Sequence, residues 1–410
     1  MDKRSLYKEG RLLMKDSSGF AKLFGGNIGA PIGNPYPVYA GLRDQTPCRL
    51  FAGTMFGDMY FVTPYDAVRK ILVNPGTFSS RVNNKLIGSV IGPTLIGLDA
   101  PDHNRVRRII MPFFTPRPID ALEDRVRAIA NEMVDRFIGK DETNLVRDFT
   151  YGYPLAVFDR LILGMGIADP AEFHALARAF LKLTTNPVEA FRAVDGMRAY
   201  LAPVIASASC MDLDDTLLNR LALAEIDGER LSTEEIMSFL ILLIQAGAET
   251  TFGLLGSAIW CLLKNDLWGA ARESVTTREA IWRETLRFEA PVQFVARETT
   301  AEIEVEGTTL PQGAFVVASI GSANRDPRVF STPDEFLIAR DPKYWDPMLT
   351  FGIGPHYCAG AHLARMEFMV ALEVLTERFP NLRLSRPADE CEGIVGFPFR
   401  APRDLPVLLS

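Results

Sequence analysis

The sequence predicts a mainly α-helical protein with one small β region, and three observations carry that prediction. Apolar residues recur at helical spacing over 118–139, 170–183, 188–207, 233–264, 277–288 and 359–378. A late stretch, 292–320, is β-rich instead: V-Q-F-V-A-R-E-T-T, I-E-V and A-F-V-V-A-S, parted by turn signals at Glu306-Gly307 and Pro311-Gln312-Gly313. No repeat, low-complexity tract or Gly/Ser/Pro-rich linker divides the 410 residues, so a single domain, 1–410, is expected.

Taken in order, the elements place the chemistry. In L-D-A-P-D-H-N-R-V-R-R, Asp102 can cap a helix whose first turns set His103 and Arg107 at i and i+4. That face offers two donors to an anion, or is simply a solvated basic face. The helix from 233 has a capping box, Ser232 with Glu235, ahead of its apolar run. Thirty-odd residues at 1.5 Å each cross roughly 45 Å, a whole domain. In its middle lies A-G-A-E-T-T, residues 246–251. Gly247 costs about 1 kcal/mol against alanine there, and the charge on Glu249 is expensive in an apolar stretch without a partner. Such local conflict marks either a functional site or a kink packed on a neighbour. Glu284 and Arg287, at i and i+3 in W-R-E-T-L-R-F, can pair on one helix face. The last helix, 359–378, puts Cys358 at its N-terminus.

Composition excludes several classes. With 48% hydrophobic residues the chain can bury a large core. The five cysteines are scattered and odd in number, which points to a reducing, cytoplasmic setting and against a disulfide framework or zinc ribbon. A net charge of −7 without a basic run argues against nucleic acid. The start, M-D-K-R-S-L-Y-K-E-G-R, lacks the apolar core of a signal peptide. Gln245 and Glu249 break the most apolar run well short of the 18 or so residues of a membrane span. A core helix of a soluble protein fits better.

The decisive stretch is F-G-I-G-P-H-Y-C-A-G-A-H-L-A-R, residues 351–365. At a helix N-terminus the macrodipole and unpaired N–H groups favour an anion, so the Cys358 thiol is expected to acidify. Gly352, Gly354 and Gly360 let the backbone turn sharply and approach something flat. A nucleophilic cysteine would need a base and an oxyanion hole, and His356 and His362 are too local to build them. Zinc lacks further ligands at the right spacing. A lone thiolate on one face of a haem iron remains.

F-G-x-G-x-H-x-C-x-G-x-x-L-A-R resembles the haem-binding signature of the cytochromes P450. The resemblance extends to nearly the whole chain: E-T-L-R with Arg340 resembles that family's Glu-Arg-Arg network, residues 98–116 its C-helix, and A-G-A-E-T-T its oxygen-activation motif. Residues 322–336 and N-P-Y-P-V-Y also resemble bacterial members, while 264–277 is shorter than usual. The resemblance implies a helical prism enclosing haem b, with Cys358 as proximal iron ligand, Phe351 beside the sulfur and Gly360 in the loop. His103, Arg107, Arg297 and His356 would clamp the propionates. Ala246 and Gly247 would lie against the distal face, Thr250 would hydrogen-bond the oxygen being activated, and Glu249 would connect protons from solvent. The implied enzyme is a monomeric monooxygenase acting on a small hydrophobic substrate. With no flavin or iron–sulfur motif in the chain, electrons would come from a separate ferredoxin and its NAD(P)H-dependent reductase. By family position the pocket would be lined by 81–97, Leu242, Leu243, 292–295 and 393–397. A peroxide-driven peroxygenase and a non-catalytic haem-thiolate sensor are the alternatives.

Overall fold

Each predicted helical stretch forms helix, and the sequence shows why each begins where it does. The computed structural model describes residues 32–54, 57–163, 170–180, 187–208, 217–226 and 228–410. The stretch 118–139 divides into Pro116–Asp120 and Glu123–Asp135. Glu123 and Asp124 fall in the first turn of the second piece, where the helix dipole favours acids. Helices Pro170–Phe180 and Pro187–Ala208 match the next two, and the last residues of the expected 170–183 lie outside the described residues. In the short region 264–277 a single 3₁₀ turn, Trp268–Arg272, is pinned by Trp268 Nε1 donating to the Phe379 carbonyl. Helix Val275–Phe288 then starts at Ser274, whose hydroxyl accepts from Thr277 N.

Asp102 does not cap its helix. It is the first residue of Asp102–Ile110, and Pro101 occupies the cap position. The acid still sits in the first turn, where it complements the dipole.

The central helix has the predicted start: Ser232 Oγ accepts from Glu235 N, and Glu235 Oε2 accepts from Ser232 N at 2.8 Å. It runs Thr233–Ile244 and Thr250–Lys264, joined through a wider π-helical turn, Gln245–Glu249. Among the described residues it is the one helix long and apolar enough to cross a membrane, but 67% of its apolar window is buried inside the protein. It therefore behaves as a core helix. Against it packs the strand Ala401–Pro402, so closely that a Cβ on Gly253 would lie 2.7 Å from the Arg400 carbonyl oxygen.

The β region is larger than 292–320. A five-stranded sheet runs in the order Cys48–Thr54, Gly57–Val62, Phe315–Ser319, Phe294–Thr299, Phe78–Ser79. Only the contact of Gly57–Val62 with Phe315–Ser319 is parallel. The first two strands escape sequence reading because a bulge between Phe51 and Thr54 breaks the alternation of buried and exposed residues. Beside this sheet a small hairpin, Ile303–Val305 with Thr308–Leu310, turns at Glu306 and Gly307, both at positive φ. Arg297 stands on the strand Phe294–Thr299, opposite Val316 on the fully buried central strand.

Candidate active site

The predicted acid–base network is built as a buried cluster. Glu284 Oε1 and Oε2 accept from Arg287 at 2.6 and 2.9 Å and from Arg340 at 3.2 and 2.8 Å. Arg287 also donates to the carbonyls of Asn324, Pro333 and Glu335, and Arg340 to those of Ser331, Thr332 and Glu335. Every donor of a charged pair in a dry core needs such a partner. The network thereby ties the helix Val275–Phe288 to the long meander before the cysteine loop. Trp282, on the same helix, meets the Phe351 ring at 5.8 Å and the Phe368 ring at 5.0 Å.

The loop itself is closed by its backbone. Cys358 N donates to the Phe351 carbonyl at 2.8 Å, Gly352 N to Leu349 and Tyr357 N to Gly354. Gly352 and Gly354 have φ of +68° and +76°, a region that costs other residues about 1–2 kcal/mol. Helix Ala361–Arg378 follows, and the backbone N–H groups of Gly360 and Ala361 point to the sulfur and favour its ionised form. Arg107 favours it too, and also donates to the Tyr357 carbonyl at 2.7 Å. Burial nevertheless outweighs them and raises the thiol above its ordinary value. The expectation that the helix N-terminus alone acidifies Cys358 is corrected: desolvation wins until a cation meets the sulfur. Cys358 is enclosed by protein and yet accessible, the combination of a group that faces an internal hollow.

Beside the loop, His103, Arg107, Arg297 and His356 form one cluster of donors. The two imidazoles are 4.2 Å apart. Burial and the neighbouring Arg297 and His103 push His356 down to about 3, and burial pushes Arg297 down to about 10. His103 Nε2 is buried without a partner among the described residues. His356 Nε2 lies 3.0 Å from Ser80 Oγ, leaving Nδ1 as its remaining polar atom. Among the described residues none of the four has an acid within ion-pair distance. Asp99 acts on Arg297 and both histidines from further away, and its carboxylate is already engaged by Ser79 Oγ, Ser80 N and Arg81. A cluster of mutually repelling cations and donors, with His103 and Arg297 buried and Arg107 and His356 half-buried, is a site for an anion. Sequence reading missed Ser80 and Asp99, which carry no motif of their own.

On the central helix, Ala246 is exposed although Ile244 and Ala248 on either side are buried at 0% and 2%. A Cβ on Gly247 would meet nothing within 4 Å. Both therefore border open space inside the fold. Thr250 Oγ1 donates to the Ala246 carbonyl at 2.6 Å. Burial raises Glu249 to about 8, so it is a neutral acid near pH 7 rather than the charge expected from the sequence.

The chain as a whole has counterparts among known proteins. The model of the family described as "Cytochrome P450" matches residues 270–393. Cytochrome P450 107B1 of Saccharopolyspora erythraea is 31% identical over 388 residues, 90% of this chain and 93% of that protein. This chain belongs to the cytochrome P450 family. Two solved P450 structures share its architecture. CYP109Q5 from Chondromyces apiculatus has a TM-score of 0.82 at 30% identity, covering 92% of this chain and 95% of that one. CYP109E1 from Bacillus megaterium, in complex with testosterone, has a TM-score of 0.81 at 29% identity, covering 92% and 99%.

The P450 is thus an oxidoreductase of the monooxygenase type acting on an organic substrate, and haem b is its family's defining cofactor. The residues fit that group. A porphyrin with two propionates supplies the anions that the cluster around Arg297 lacks, and the open space at Ala246 and Gly247 admits a flat ring.

Proposed function

We propose that this P450 inserts one oxygen atom from O2 into a small hydrophobic molecule by hydroxylation, O-dealkylation or epoxidation. Cys358 would hold the haem iron as a thiolate, and a ferredoxin with its reductase would supply electrons. The observation that carries the reading is Cys358 itself. It is accessible although closely surrounded by protein, with two backbone N–H groups and Arg107 stabilising its ionised form. When bound, haem supplies an iron centre that activates dioxygen, and a thiolate ligand favours O–O cleavage.

The chain's own residues do the rest. His103, Arg107, Arg297 and His356 hold and neutralise the propionates. Ala246 and Gly247 would present nothing bulkier than a methyl group to the ring. Thr250 Oγ1, anchored on the Ala246 carbonyl, keeps its lone pairs available toward the open space, and protonated Glu249 stores a proton one residue away. The segments 81–97 and 292–295 with Leu242, Leu243 and Phe397 line an apolar pocket. The Phe294 and Phe397 rings are 5.0 Å apart. The testosterone complex of the CYP109E1 relative supports a substrate of similar bulk and polarity.

Two experiments test this reading. A compound library screened for Soret shifts, reporting displacement of the distal water, should return apolar molecules. Thr250→Ala should still bind haem and substrate and consume NAD(P)H, while product per NAD(P)H drops and hydrogen peroxide rises. A tenfold loss of coupling corresponds to about 1.4 kcal/mol between the two branches. Unchanged coupling would make Thr250 a packing residue. Better turnover with supplied peroxide than with O2 in the unmodified protein would favour a peroxygenase, and no turnover with either would favour a sensor.

A further inference from the structure

The central helix holds a polar side chain that proton storage on Glu249 does not yet explain. Gln245 follows I-L-L-I, is only 6% exposed, and opens the wide turn Gln245–Glu249. A buried amide in such a run is costly unless its donors and its acceptor are used. Among the described residues its Oε1 has no hydrogen-bond partner, and neither has Glu249 Oε2. The two side chains stand four residues apart, neighbours on one helix face. Among the described residues two influences act on the Glu249 carboxyl: burial, which opposes ionisation, and Gln245, which favours it. An amide favours a carboxylate by donating N–H to it, so the Gln245 N–H group is the one that would turn to Glu249 once it ionises, with the carbonyl oxygen left as the orphan.

Handing on a proton leaves a carboxylate in an apolar interior, and something must hold it there. Among the described residues no other charge is placed to do so. Glu234 and Glu235, at the start of the same helix, are paired with Arg198 and Arg105. Lys264 lies at its far end. The helix Gly152–Val157, packed against the turn, offers only Tyr153, whose hydroxyl donates to the Glu367 carbonyl. An acid that could never ionise would release no proton, and one that ionised freely would not stay neutral between turnovers.

We propose that Gln245 is a positioning residue for proton delivery, its amide holding the Glu249 carboxylate that forms each time a proton is passed toward Thr250. The Glu249 O–H bond breaks and an O–H bond forms on water or hydroxyl oxygen in the pocket. Solvent then reprotonates the carboxylate, and no electron moves in these steps. The inference rests on the monooxygenase reading, and its test separates the two.

Gln245→Met keeps the length and bulk but has no donor, whereas Gln245→His keeps an N–H. In the resting haem-loaded protein, the infrared C=O stretch of protonated Glu249, assigned by its loss in Glu249→Gln, is followed against pH. In Gln245→Met the acid band should persist to higher pH. Coupling should fall about tenfold, as for losing one hydrogen bond to a charged group, with a larger solvent deuterium isotope effect. Gln245→His should restore both. If Gln245→Met does not accumulate as folded protein, Gln245→Asn, an amide one methylene too short, carries the same expectation. An infrared titration and isotope effect unchanged by loss of the donor would overturn the proposal. Absence of a thiolate-type carbon monoxide spectrum in the unmodified protein would instead overturn the monooxygenase reading on which it rests.

Discussion

Replacing Arg297 by leucine should push the haem-free and haem-loaded proteins in opposite directions. Arg297 is 6% exposed, and among the described residues its side chain donates only to the carbonyl of its own neighbour, Ala296, at 2.8 Å. Burial depresses it to about 10, with distant Asp99 as the one group that opposes the shift. A depression of that size corresponds to roughly 3 kcal/mol against the charged form. Relaxation and water entry reduce it, so leucine should stabilise the haem-free protein by about 1–3 kcal/mol. In the loaded protein the same change removes a charge-assisted hydrogen bond to a propionate, worth about 1.5–3 kcal/mol. The stabilisation conferred by haem should therefore shrink by about 3 kcal/mol or more. Urea denaturation of both forms measures this, and the rate of haem transfer to an excess haem-binding acceptor, expected to rise, checks it independently. If the variant destabilises both forms equally and haem leaves no faster, the cluster is not built for an anion.

Other consequences follow from the same geometry. Glu284→Gln leaves Arg287 and Arg340 buried without their carboxylate and should cost about 3–5 kcal/mol in chemical denaturation. Gly354→Ala places a side chain at φ +76° and 3.4 Å from the Leu72 carbonyl oxygen, so it should cost at least about 1–2 kcal/mol and loosen haem. Gly247→Ala, with open space around it, should leave unfolding almost unchanged while shifting the spectra of bound ligands. Glu249 is raised in the folded state, from 4.5 to about 8, so its contribution to stability is full below pH 4.5 and is lost as pH rises through about 8. The unmodified protein should lose several kcal/mol relative to Glu249→Gln between pH 5 and pH 8, read from paired thermal melts.

The long helices were legible because their apolar periodicity and caps are local. Ser232 with Glu235 signals a helix start in four letters, and the structure has that start. Pairings of distant segments were not legible. The strand Gly57–Val62 owes its place to a partner some 250 residues away, and its hairpin neighbour Cys48–Thr54 hides its alternation behind a bulge. N-P-Y-P-V-Y could be matched to related sequences but not explained by itself. In the structure, Tyr36 donates its hydroxyl to buried Glu289, which also accepts from Arg325 and Arg400. At the site, residue types were visible and their environments were not. Glu249 reads as a charge in the sequence, and burial makes it a neutral acid. The Cys358 thiol was expected to be acidic, and desolvation reverses that. Gln245 was visible only as an interruption of an apolar run, and its importance emerges once the turn beneath it is seen to widen and its carbonyl oxygen to lack a partner.

The most direct test of the whole account is the absorbance of the dithionite-reduced, haem-loaded protein under carbon monoxide. Ligation through Cys358 predicts the red-shifted Soret band of a thiolate-bound ferrous haem, lost in Cys358→His while haem is still retained by the cluster around Arg297. A Soret band of the imidazole type in the unmodified protein, or a thiolate-type band that survives Cys358→His, would contradict it.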